Sequence, residues 1–251
     1  MRRGTLPAIA FAAAAGATGL GGDAAHHWTY AGRDGPSHWA ELDPKFVACA
    51  AGKAQSPINI RTRDVHRERL PPLIFDYRPT SLHIIDNGHS IQVDVDPGSS
   101  LRIGDKLYRL VQFHFHHPSE ERIDDTGAEL DMHLVHRDPE GNLAVVAVQL
   151  NPGTANSMVD AMWNHLPKQK EHKADFPDVL INPAALLPAD RGYFTYTGSL
   201  TTPPCSEGVR WIILKAPSSL SKGEIAAFAA RYPNDARPVQ NQNGREVLTG
   251  N

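Results

Sequence analysis

The sequence predicts a mainly β, single-domain protein carrying a few short helices. Three observations point there: short runs of β-branched and apolar residues dominate the chain, turn signals separate them, and helical periodicity is confined to a few places. The runs are Leu73 to Tyr77, Leu82 to Asp86, Ser90 to Val95, Lys106 to His116, Leu130 to Arg137, Leu143 to Leu150 and Val209 to Leu214. Asp96-Pro97-Gly98 and Asp125-Thr126-Gly127 are turn chemistry, since Pro presets φ and Gly accepts conformations other residues avoid. The clearest helix runs from Ser221 to Tyr232, where Ser221 and Glu224 have capping-box spacing and Ile225, Phe228, Ala229 and Tyr232 share one face. A second helix is expected from about Asn156 to Leu166. No repeat, low-complexity tract or linker interrupts the chain, so residues 26–251 read as one domain.

Composition narrows the function classes. The 251 residues carry 25 basic and 28 acidic side chains, a net charge of −3, with no basic run. That balance argues against nucleic acid or an anionic membrane as the partner. Two Cys cannot build a Cys-based zinc site, so a metal would be held by the 13 His and the carboxylates. At the N-terminus, Arg2 and Arg3 precede an uncharged Ala-rich stretch from Leu6 to Ala15 and small residues through Gly22, the layout of an export signal over residues 1–25. Its apolar core is too short to span a bilayer, and no later run approaches a span. A periplasmic or secreted location is therefore expected. In such an oxidising compartment Cys49 and Cys205 would pair; two buried thiols are the alternative.

Strand parity selects among the histidines. In Gln112-Phe113-His114-Phe115-His116, alternation puts Gln112, His114 and His116 on one face and the two Phe on the other. Downstream, Asp131, His133 and Val135 share a face opposite Met132, Leu134 and His136. A turn between the segments lets the two strands lie side by side, so His114, His116 and His133 converge as three corners of a tetrahedron with the fourth open. Three neutral imidazoles leave the whole metal charge to polarise a bound water. A rival reading takes His114, His116 and Glu120, followed by Gly127, as half of the cupin motif, in which Glu120 would ligate manganese or iron. That motif expects Gly six residues before the first His, where this chain has Tyr108.

Six segments, in order, resemble the α-class carbonic anhydrases: His26-His27-Trp28-Thr29-Tyr30, Gln55-Ser56-Pro57-Ile58-Asn59-Ile60, Asn87-Gly88-His89, Gln112 to His116, His133-Leu134-Val135-His136 and Gly198-Ser199-Leu200-Thr201-Thr202-Pro203-Pro204. The resemblance reaches Asn243-Gly244-Arg245, effectively the whole mature chain. It implies a large twisted, mostly antiparallel sheet with short peripheral helices. It also implies one Zn2+ per chain and reversible hydration of carbon dioxide to bicarbonate and a proton, by attack of zinc-bound hydroxide. Monomer and homodimer are both open.

Residue by residue, His114, His116 and His133 match the zinc ligands. Thr201 matches the group that accepts a hydrogen bond from hydroxide and passes its own proton toward Glu120. Val135, Val145, Leu200 and Trp211 match the apolar wall for carbon dioxide, and Thr202 a polar group beside it. His89 matches the proton shuttle, a task suited to an imidazole near its reference pKa of about 6.5. Tyr30, Asn87 and Gln92 match the lining that orders the bridging waters. Cys49 and Cys205 match the disulfide of bacterial secreted members.

Two residues depart from the family pattern. Gln112 stands where relatives fix the first ligand, but the partner of His133 is Asp131 in place of the usual Glu, one methylene shorter. It reaches His133 only through a backbone shift or a water, unless Glu129 on the same face compensates, and faster zinc loss is expected. Glu121 stands where bacterial relatives usually have His, with no role readable from sequence. A non-catalytic binding module of the same fold is the remaining alternative, although such relatives usually lack a ligand.

Overall fold

The computed structural model describes residues 27–250; the export segment expected at residues 1–25 lies outside them. Lys106–His116, Leu130–Arg137 and Leu143–Pro152 form an antiparallel trio at the centre of a 13-stranded sheet. Toward one edge follow Ile91–Asp94, Thr80–Asp86 and His172–Ile181, all antiparallel. Toward the other, Glu207–Leu214 joins Leu143–Pro152 in parallel, then Tyr193–Ser199, Leu248–Gly250 and His66–Glu68 complete the order. The sheet is thus mixed, with most pairs antiparallel.

Burial follows strand parity. In Thr80–Asp86 every second side chain is buried, starting with Thr80. Leu130–Arg137 is buried on both faces except at its last residue, so Asp131, His133 and His136 are enclosed with the apolar side chains. One face carries the main core, including Phe113, Phe115, Met132, Leu134 and Val146. Each fully buried Phe there contributes about 1.5–3 kcal/mol relative to exposure. Helices Ser157–Trp163 and Lys222–Arg231 cover this face. The second helix has the expected capping box: Ser221 Oγ accepts from Glu224 N–H at 3.2 Å and Glu224 accepts from Ser221 N–H at 2.6 Å. Glu224 also accepts from Asn156 N–H at 2.8 Å, joining the N-termini of the two helices.

The opposite face holds a smaller core of Val135, Val145, Ala147, Phe194, Tyr196, Trp211 and Ile213. The histidines that sequence parity groups together project on this side. A third cluster packs Trp39 against the Cys49–Cys205 disulfide, with Trp28 and Tyr30 beside it. Gly198 lies where the strands crowd: a Cβ there would meet Ser56 Oγ at 2.1 Å and Trp211 Cδ1 at 2.8 Å. Only glycine fits that approach. No helix among the described residues is long and apolar enough to cross a membrane.

Candidate metal centre and active site

Register places the three histidines. Within the sheet His114 pairs directly with His133 on one side and with Gln92 on the other, while His116 pairs with Asp131. One nitrogen from each of His114, His116 and His133 lies within 4.8 Å of the others. The remaining nitrogens are held: His114 Nδ1 by Gln112 Oε1 at 2.8 Å, His116 Nδ1 by the Asp235 carbonyl at 2.8 Å, and His133 Nε2 by Glu121 Oε2 at 3.1 Å. These contacts leave His114 Nε2, His116 Nε2 and His133 Nδ1 facing one another. His116 is 1% exposed and its Nε2 has no hydrogen-bond partner, so a buried lone pair is presented with nothing to accept it. Burial, reinforced by its two neighbours, holds His114 well below the usual imidazole range. A neutral imidazole is the form that binds metal. Three imidazole nitrogens converging in this way fit a tetrahedral zinc with one open position.

The rest of the expected site lines one cavity of about 170 Å3: Tyr30, Asn87, His89, Gln92, Gln112, the three His, Val135, Val145, Leu200, Thr201, Thr202 and Trp211. Trp211 sets its ring edge-on to His133, with centroids 5.0 Å apart, and donates from Nε1 to the Ser199 carbonyl at 2.9 Å. Glu120 is fully inside. Its Oε1 accepts from Arg237 N–H at 2.7 Å, while Oε2 lies 3.8 Å from His116 Nε2 and 3.9 Å from His133 Nδ1 without a hydrogen-bond partner. The Thr201 hydroxyl therefore does not reach Oε2 in this conformation.

Several placements differ from expectation. Asn87 Oδ1 accepts from the N–H groups of His89 and Ser90 at 2.9 and 2.7 Å, so it fixes the turn that presents His89. Gln92 donates to Asp94 at 2.7 Å, and the buried Tyr30 hydroxyl has no partner. His89 stacks flat on Trp28, centroids 3.6 Å apart and planes 7° from parallel. Burial there, with the neighbouring His27 charge, pushes His89 down to about 4, below the reference value expected of it. Asp131 Oδ2 is 3.5 Å from His133 Nε2 and instead accepts from Glu120 N–H at 2.7 Å. Glu129 is exposed and does not substitute for it. The contacts from Glu121, Asp235 and Arg237 had no sequence signal. They come from a turn and from a loop more than a hundred residues away.

Residues 34–251 match the model of the eukaryotic-type carbonic anhydrases. The chain belongs to that family. A carbonic anhydrase from Nostoc sp. is 41% identical over 225 residues, covering 88% of this chain and 85% of the relative. Carbonic anhydrase from Pectobacterium carotovorum is 40% identical over 224 residues, covering 88% and 90%. Among solved structures, the α-carbonic anhydrase of Thermovibrio ammonificans with sulfanilamide superposes with a TM-score of 0.86 at 38% identity. It covers 89% of this chain and 99% of its own. The cupin reading falls with this assignment, because the family matched over residues 34–251 is that of the carbonic anhydrases.

Proposed function

We propose that this carbonic anhydrase is a zinc enzyme interconverting carbon dioxide and water with bicarbonate and a proton. The supporting observation is the triad: three imidazole nitrogens facing one another, each ring locked from behind. Zinc bound there supplies a Lewis acid that converts water into a nucleophile at neutral pH. His114, His116 and His133 hold the ion. Glu120 offers its spare Oε2 as the acceptor for the Thr201 O–H once that side chain turns toward it. The threonine oxygen, its proton so directed, would then be free to accept a hydrogen bond at the open position of the triad. Val135, Val145, Leu200 and Trp211 offer an uncharged substrate an uncharged wall, and Thr202 adds a polar group at its edge. Metal analysis with stopped-flow hydration tests this directly. One zinc per chain and chelator-sensitive hydration are the expected result; stoichiometric zinc without hydration would mark a binding module on the same fold.

His89 carries the proton from the site to buffer. Stacked on Trp28 it stays neutral at pH 7, so the proton-carrying position is the one swung off that ring, where an imidazole regains its ordinary affinity. His89→Ala is expected to slow turnover mainly in weak buffer and to be rescued by added imidazole. Unchanged turnover in weak buffer removes His89 from the path. Residues 1–25 are read as an export signal and 26–251 as the catalytic domain. The Cys49–Cys205 bond suits a periplasmic or secreted chain.

A further inference from the structure

Glu121 is wholly buried, and a buried carboxyl is costly unless something inside the protein uses it. Its backbone is clamped: the Glu121 carbonyl accepts from Ser119 Oγ and from Gln149 Nε2, both at 3.0 Å. The side chain is thereby aimed at the back of His133, and Oε2 reaches Nε2 at 3.1 Å. Asp131, the residue whose position in the fold corresponds to the usual partner of this ring, stops at 3.5 Å, beyond an effective hydrogen bond. Its Oδ2 is engaged by Glu120 N–H at 2.7 Å, the residue that in turn faces His116 and His133. Two acids thus serve two neighbouring parts of the site.

We propose that Glu121 is the positioning residue of His133, and that Asp131 has been released to fix Glu120. The longer Glu arm arriving from the 118–121 turn replaces the methylene that Asp131 lacks. Zinc retention is then set by Glu121, and the fast zinc loss expected from the Asp131 departure is averted. This inference rests on His133 being a zinc ligand. A parent protein that binds no zinc defeats that reading; a zinc-binding parent isolates the role of Glu121.

The test is the rate at which zinc passes to a chelator from parent, Glu121→Ala, Glu121→Gln and Asp131→Asn holoproteins, with the visible spectrum of the cobalt-substituted forms. Loss of a residue that orients a ligand raises zinc release by about 10- to 100-fold. That increase is expected for Glu121→Ala, together with an altered cobalt spectrum. Glu121→Gln keeps an acceptor oxygen and is expected within about threefold of parent on the same scale. Asp131→Asn, still able to accept from Glu120 N–H, is expected to release zinc at the parent rate. Parent-like release from folded Glu121→Ala overturns the proposal. So does fast release from Asp131→Asn with Glu121→Gln unchanged, a comparison that stands even if the Ala variant does not fold. Two metal ions per parent chain, one lost in Glu121→Ala, would also overturn it, making Glu121, Asp131 and His133 a second cation site.

Discussion

A Cys49→Ser/Cys205→Ser variant is expected to unfold with about 4–5 kcal/mol less free energy than the parent, read by urea titration. The bond spans 156 residues, and the entropy it removes from the unfolded chain grows with the logarithm of the loop. The folded chain is built around the same bond. Cys205 follows Thr201-Thr202-Pro203-Pro204, the segment that walls the cavity, and its carbonyl accepts from Gln55 Nε2 at 3.0 Å. The Cys49 carbonyl accepts from the buried Arg237 guanidinium at 2.9 Å. Arg237 also donates to Gln55 and to the Ser56 carbonyl, and its backbone N–H holds Glu120. Cutting the bond loosens the Thr201 wall and the Glu120 anchor from the same N-terminal segment. Hydrogen exchange in residues 200–206 is expected to accelerate with the loss of stability. A loss below about 1 kcal/mol would show that the loop is already closed in the unfolded chain.

The convergence of His114, His116 and His133 is legible because its information is local. Parity along Gln112 to His116 and Asp131 to His133 fixes which side chains share a face, and one turn between them brings the faces together. Gln112 is legible for the same reason, two residues before the ring it holds. Glu121 was not. Past His116 the chain leaves the strand, and no period says where a turn residue points. Asp235 and Arg237 contact the site across more than a hundred residues, a separation no spacing rule covers.

The sheet shows the same division. Lys106–His116 and Leu130–Arg137 have the expected bounds. His172–Ile181 escaped the sequence reading because it is a polar edge strand whose register shifts between Phe176 and Leu180, around Pro177. Tyr193–Ser199 escaped because six of its seven residues are buried, leaving no alternation to detect. His89 is the intermediate case. Its turn, Asn87-Gly88-His89, is legible, but the stacking partner that lowers its proton affinity lies on the N-terminal segment.

Among the histidines that sequence left without a role, His136 has the largest expected effect. It is fully buried between the Tyr77 hydroxyl, 2.6 Å from Nε2, and the Ala144 carbonyl, 3.2 Å from Nδ1. Nδ1–H donates to the carbonyl, which leaves Nε2 of the neutral ring to accept from the phenol. Burial accordingly lowers its pKa from 6.5 to about 4. The sign follows from proton counting. Between these two values the unfolded chain holds a proton that the folded chain does not, so acid favours unfolding across that window. The contribution is complete above pH 6.5, is lost as pH falls toward 4, and amounts to about 3 kcal/mol at one pKa unit per 1.36 kcal/mol. Other buried groups titrate as well, so the informative quantity is the difference between parent and His136→Gln, which keeps one donor and one acceptor without titrating. From pH 7 to pH 4 the parent should lose about 3 kcal/mol more than the variant in urea unfolding. Parallel curves for the two proteins would mean that the ring charges in place or that water reaches it, and the acid limit of this fold would then lie with other buried groups.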